Sequence, residues 1–430
     1  MAFFRTKRFF PLFVTQFMGA FNDNLLKNAL VMLVTYKLAS KQGMDTQQLV
    51  TIAGGLFMLP FFLFSATAGQ VSDKFSREKI TRIIKLAEIF IMVFATIGFY
   101  SGNIWFLLFV LFMMGVHSTF FGPIKFALLP QHLNNDELLL GNAYIEAGTF
   151  LAILIGTILG ILILQPIGVE LVSGLLLAVA LIGYISSRYI PESPAPEPEL
   201  AISKNIWKET WRIVGFAREN KRVFLSILGI SWFWLVGATY LSQFPAYAKD
   251  ILRAEPDIVT MFLTIFSVGV GVGSFLCNKL LKGEIKSTYV PISMLGITVF
   301  GADLYFATIA NISPVSDALM GISEFISSFH RLRILFDLFL IAICSGLYIV
   351  PLYAIMQHSS SPLHRARIIA ANNVMNAIFM VASALIVLAL LSFGFTIPQV
   401  FLVMAIANGF VAFYIWRTLP GVREKYAGHS

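Results

Sequence analysis

The sequence predicts an all-α membrane protein with twelve transmembrane helices arranged as two six-helix halves. Three observations carry this expectation. Hydrophobic residues make up 57% of the 430 residues and charged residues only 13%, about half the charged share of a soluble domain, so most of the surface must face something other than water. The apolar stretches run without alternation for 18 to 25 residues, which is the length of a membrane-crossing helix and not the pattern of barrel strands. Lysine and arginine gather in alternate connections between those stretches, as the positive-inside rule requires. The net charge of +8 therefore reports membrane topology, and no nucleic-acid partner is expected.

Taken in order, spans are expected at 9–38, 49–71, 80–101, 103–129, 138–165 and 168–190, then at 221–248, 257–281, 287–310, 334–357, 367–393 and 396–418. The first apolar segment does not read as a cleavable leader, because it contains Asn22, Asp23, Asn24, Lys27 and Asn28. Residues 311–333 leave room for an extra interfacial turn. Between the two sets, PESPAPEPEL (191–200) cannot continue a helix. After it, Trp207, Trp211, Val214 and Arg218 fall at helical spacing, which predicts an amphipathic helix on the membrane surface. The expected domains are thus an N-terminal half over 1–190, a cytoplasmic linker with its amphipathic helix over 191–220, and a C-terminal half over 221–430. With the N-terminus inside, the inner segments hold 23 of the lysines and arginines and the outer segments 6, which puts both termini in the cytoplasm. Cys277 and Cys344 both fall in apolar stretches and are expected as free thiols.

The halves repeat one another. Pro123, Gln131-His132, Asn142 and Glu146 recur as Pro351, Gln357-His358, Asn372 and Asn376, the trace left by two parallel repeats. Between spans 2 and 3 lie Gly69, Asp73, Lys74, Arg77 and Lys79. Gly69 allows close helix approach. Asp73 is placed to meet the N-terminus of a neighbouring helix, and the three cations hold the loop inside. The spacing suits a breakable conformational latch rather than a substrate site.

A charge at the bilayer centre costs about 2.5–3.5 kcal/mol on insertion scales, so each one needs a partner or a task. Asp23 and Lys27 stand at i and i+4 on span 1 and can pair, with Asn24 beside them. Lys125 lies near the inner end of span 4, after a Gly122-Pro123 break, and Glu146 lies on span 5, one turn after Asn142. His117 reads as a packing residue. These positions suggest a polar cavity in the first half, where lysines suit a phosphate and carboxylates an amine. The second half reads as free of such charges and offers aromatics over Ser231–Phe244. No acyltransferase motif surrounds any of the six histidines, and there is no Gly-x-Ser-x-Gly elbow and no clustered His/Cys metal site. The chain is therefore not expected to be an enzyme, nor to need a metal or cofactor.

Phe21-Asn-Asp-Asn24, the Gly69–Lys79 loop, Phe121-Gly-Pro-Ile-Lys125 and Gly141-Asn142-Ala-Tyr-Ile-Glu146 together resemble the bacterial lysophospholipid transporter family of the major facilitator superfamily. The Ser231–Phe244 stretch looks like the branch fused to acyltransferase and acyl-carrier-protein ligase modules. The resemblance implies a major facilitator fold in the bacterial inner membrane. It also implies a monomeric flippase that moves lysophospholipids, such as lyso-phosphatidylethanolamine, from the outer to the inner leaflet. There they would be re-acylated by a partner acyltransferase or acyl-carrier-protein synthetase. Asp23, Asn24, Lys125 and Glu146 match the family's polar positions, and Lys27 and Asn142 join them from the reading of charge above. The family's span-7 arginine would fall near Leu241, where this chain has no basic residue. The alternative is a proton-coupled exporter of drugs or small amphiphiles on the same fold.

Overall fold

In lipid a backbone can satisfy its own polar groups only as a helix or a closed barrel, and each expected apolar stretch here becomes one helix. The computed structural model describes residues 3–33, 46–161, 168–203, 205–310 and 319–419. The first six long helices are α1 (Phe10–Leu33), α2 (Thr46–Lys74), α3 (Arg77–Ser101), α4 (Ile104–His132), α5 (Asn135–Ile161) and α6 (Gly168–Ser187). The linker helix is α7 (Ile206–Glu219). Then follow α8 (Lys221–Ala246), extended by a π-helical turn over Tyr247–Ile251, α9 (Pro256–Leu281), α10 (Val290–Ile309), a short α11 (Ile322–Ile326), α12 (Phe329–Ser359), α13 (Arg365–Ser392) and α14 (Ile397–Thr418). Among the described residues, eleven of these are long and apolar enough to cross a membrane. The twelfth long helix, α1, is of spanning length but carries the polar run Asn22–Asn28.

Local chemistry sets the ends. Asn103 caps α4 by accepting from the Phe106 amide at 3.0 Å, and Asn205 caps α7 by accepting from the Lys208 amide. Gly102 closes α3 in the left-handed region at φ 64°, where a side chain would strain. Two expectations need correction. The Gly122-Pro123 pair does not break α4, which continues through Pro123 and Pro130 to His132, because neighbouring groups in a helical bundle compensate for the missing donors. Helix α12 begins at Phe329, not 334, and so takes Arg331 and Arg333 into the helix.

The chain packs as two units. The first comprises Met1–Gly141, Leu151–Asn220 and Gln357–Ala377. Within it α2 packs on α4, and α1 and α3 pack on α6. Leu25, Leu26 and Ala29 of α1, Met92 and Ala95 of α3, Leu107 and Leu111 of α4, and Leu176 of α6 form its buried core. The second comprises Asn142–Phe150, Lys221–Met356 and Ile378–Ser430. There α10 packs on α14. Helices α9 and α12 approach so closely that a Cβ on Gly346 would stand 2.6 Å from the Ser274 amide nitrogen, the small-residue contact expected where packing rather than hydrophobicity holds helices together.

The linker crosses the first unit as a strap rather than a loose tether. The Ser193 carbonyl accepts from the Arg77 amide, and the Glu197 amide donates to the Asp73 carbonyl. The Ser193 amide donates to Glu78 Oε2 at 2.8 Å, and the Ser203 amide donates to Gln70 Oε1 at 2.7 Å. Helix α7 buries Ile213, Val214 and Ala217 and leaves Trp207 and Trp211 59% and 72% exposed. Val214 thus sits on the opposite face from the tryptophans it was grouped with.

Candidate functional site

Helix α1 brings the predicted polar residues into the first unit. Asp23 turns toward α4, where the Ser118 hydroxyl lies 2.7 and 2.8 Å from its two oxygens. Lys27 lies one turn further along α1. Its Nζ donates to Asn24 Oδ1 at 3.2 Å and lies 5.8 Å from the centre of the Phe57 ring. Among the described residues, the expected Asp23–Lys27 ion pair is not formed, and each side chain instead meets a neutral partner, Ser118 and Asn24. The Asn24 side chain donates to the Ala20 carbonyl, and the Asn28 side chain donates to Thr157 Oγ1 of α5. Lys125 lies two turns after Ser118 on the same face of α4, with its Nζ 4.9 Å from the centre of the Phe126 ring. Asn142 and Glu146 are buried on α5 and belong to the second unit, whereas Asp23, Asn24, Lys27 and Lys125 belong to the first.

Behind Asp23 lies a polar core that sequence reasoning missed. Lys85 and Glu88 on α3 are both fully buried and pair at 2.6 Å. Glu88 Oε1 accepts from Asn22 Nδ2 at 2.8 Å, and Glu88 Oε2 lies 3.2 Å from His117 Nε2. Lys85 lies where a Cβ on Gly19 would meet its Nζ at 2.7 Å, so glycine leaves the space this cation fills. Lys85 reads in the sequence as the last cation of an inner loop, yet it points into the bundle. His117 is not simply a packing residue, since it touches both Glu88 and, at 3.5 Å through Nδ1, Ser118. The signal available in the sequence was Glu88 itself, a carboxylate three residues after Lys85 inside an apolar run. Nothing in the sequence marked Ser118.

The loop residues form a second, separate cluster in the same unit. Asp73 Oδ1 accepts from Arg77 at 2.9 Å, and Asp73 Oδ2 accepts from Arg367 at 3.1 Å. Its oxygens also receive the amides of Ala366 and Arg367, each at 3.3 Å, in the first turn of α13, where an anion is favoured. Arg367 also pairs with Glu197 of the strap, and Phe216 of α7 stacks on His364 at 4.9 Å. A Cβ on Gly69 would lie 2.8 Å from that of Ala370, so glycine lets α2 meet α13. Lys74 is half-buried and Lys79 exposed.

The second unit is mainly aromatic around α8. Trp232 Nε1 donates to Asn408 Oδ1 at 2.8 Å, and Phe150 stacks on Trp234 at 6.3 Å. A small cavity is lined by Trp232, Phe233, Tyr240, Phe266, Tyr348 and Asn408 among others. The expectation that this half lacks charges within its spans is wrong. Asp303 of α10 pairs with Arg333, and Asp337, one turn further along α12, is buried. The early start of α12 is what brings Arg333 to Asp303. Cys277 and Cys344 are free thiols. Among the described residues, no group of three or more His, Cys, Asp or Glu is placed to hold a metal ion.

A family model described as Major Facilitator Superfamily matches residues 12–330. The chain belongs to the major facilitator superfamily. Among its relatives within that superfamily, the lysophospholipid transporter LplT of Escherichia fergusonii is 25% identical over 352 residues, covering 80% of this chain and 78% of that protein. The transporter of the same name from Serratia proteamaculans is 23% identical over 351 residues, with the same coverage. The proton:xylose symporter XylE, itself a major facilitator, superposes with a TM-score of 0.72 at 12% identity over 96% of this chain and 95% of that one. A bacterial homologue of the iron transporter ferroportin, in an outward-facing state, superposes with a TM-score of 0.66 at 14% identity over 94% and 98%. At such identities the solved structures speak for the major facilitator fold alone.

Proposed function

We infer that this major facilitator is a lysophospholipid transporter that carries lysophospholipids, lyso-phosphatidylethanolamine among them, from the outer to the inner leaflet of the bacterial inner membrane for re-acylation. The observation that carries the reading is the split charge on α1. Asp23 and Lys27 share a helix face, yet each is held by neutral groups, Ser118 and Asn24. Opposite charges kept apart inside a bundle are expensive, and they are matched by a ligand that carries both signs. A zwitterionic headgroup does so, with its ammonium toward Asp23 and its phosphate toward Lys27. Asn24 supports the site by accepting from Lys27. The names of the relatives point to the same substrate class. The site proposed here rests on residues of the first unit alone. The carrier would work as a monomer with both termini in the cytoplasm, and a separate acyltransferase would consume the product and so draw lipid inward.

The test is leaflet-to-leaflet transfer of labelled lyso-phosphatidylethanolamine in proteoliposomes. Asp23→Asn and Lys27→Met are each expected to slow transfer at least tenfold, the loss of about 1.4 kcal/mol or more that follows from removing one charge-assisted contact. Folded wild-type protein that transfers no more lipid than empty vesicles, with or without a proton gradient, would overturn the reading. Transfer of a cationic amphiphile only under such a gradient would favour the exporter.

A further inference from the structure

We propose that Glu88 and His117 are positioning residues that set the headgroup choice of the Asp23 site in favour of a primary ammonium. The inference rests on the lysophospholipid reading and adds to it the residues that shape the site from behind. Glu88 is fully buried and grips two helices at once. Through Oε1 it holds Asn22 of α1 at 2.8 Å, and through Oε2 it meets His117 of α4 at 3.2 Å. Asn22 directly precedes Asp23, and His117 directly precedes Ser118. One carboxylate thus clamps α1 and α4 at the residues next to the two that touch across the site. Rotating either helix about its axis would pull Asp23 from Ser118, since adjacent residues on a helix are about 100° apart.

The rest of the core stiffens the clamp. Asn22 Nδ2 also reaches the Leu176 carbonyl of α6 at 3.2 Å. The His117 ring stacks on Phe121 at 6.5 Å, and Lys85 Nζ sits 5.0 Å from the centre of that same Phe121 ring. An ionised carboxylate only accepts, so Glu88 takes hydrogens from Lys85 and from Asn22, and His117 Nε2 stands 3.2 Å from its Oε2. Lys85 pairs with Glu88, and Asp23 stands at the edge of the core with Ser118 as its hydrogen-bond partner. The Ser118 hydroxyl has a single hydrogen to give and holds the Asp23 carboxylate in one orientation. The remaining lone pairs of that carboxylate are open to a donor. A primary ammonium brings three N–H donors, a trimethylammonium brings none, and a glycerol headgroup brings no charge. A fixed carboxylate separates these headgroups, whereas one free to swing would fit each of them loosely.

The experiment compares initial rates for lyso-phosphatidylethanolamine and lyso-phosphatidylglycerol in proteoliposomes of the full chain, for wild type, Glu88→Gln, His117→Gln and Ser118→Ala. The expected result is a preference for the ethanolamine lipid that falls about tenfold in each variant, with the change in KM for that lipid rather than in its maximal rate. Ser118→Ala and His117→Gln leave the Lys85–Glu88 pair intact, so they carry the test if Glu88→Gln does not fold. Equal losses for both lipids, or an unchanged preference in His117→Gln and Ser118→Ala, would overturn the positioning role. Wild type that transports neither lipid would instead sink the lysophospholipid reading, and this inference with it.

Discussion

Lys85 and Glu88 pair at 2.6 Å with no exposure to solvent, and the energetics of such a pair are asymmetric. Removing one partner strands the other, at a cost of about 3–5 kcal/mol, while replacing both by neutral groups of similar size costs far less. Lys85→Met is therefore expected to lower the melting temperature of the solubilised protein strongly, and the double variant Lys85→Met/Glu88→Gln to recover most of the loss. Additive losses in the double variant would show that the two charges do not depend on each other. The pair also shows why part of the site could be read in the sequence and part could not. Asp23, Asn24 and Lys27 interrupt an apolar run, and polarity in the middle of a span announces itself. A lysine at the end of a run reads as loop, because the positive-inside pattern expects cations there. Ser118 is silent because a hydroxyl is common inside helices, where it can bond to the preceding turn.

Helix α7 shows what periodicity settles at the scale of an element. Its helical spacing was legible, and it forms over Ile206–Glu219. Which side would be covered was less so, since Val214 turned inward while Trp207 and Trp211 stayed exposed. The exposed face also carries Lys208, Arg212 and Arg218, the composition of a helix that lies at headgroup level. Lipids brominated near the headgroup should quench Trp207 and Trp211 more than lipids brominated at the chain ends, read as fluorescence lost when each is replaced by Phe. Equal quenching at both depths, or none, would take α7 off the membrane surface. At α4, the Gly122-Pro123 pair suggested a break that did not occur. The sequence rule for proline is drawn from helices in water, and a bundle supplies other partners for the freed carbonyls.

At the scale of the whole molecule, every expected span has its helix, because twenty apolar residues in lipid have few alternatives. The charge bias that placed the spans also makes a prediction about their direction. A cysteine added at either terminus should react with a membrane-impermeant maleimide only after the cells are permeabilised. Labelling of either end in intact cells would reverse the assignment. The division of the chain was harder to read, because packing does not follow the order of synthesis. Residues 142–150 join the second unit and 357–377 join the first, an exchange no hydropathy pattern reports. Arg367, which holds Asp73 together with Glu197 of the strap, is made long after the six spans it completes. A ribosome that has finished the first half has therefore produced an object with an unfilled socket. Until α13 emerges, the Asp73 carboxylate has only Arg77 to pair with, and Glu197 of the strap lacks the arginine it meets in the finished chain.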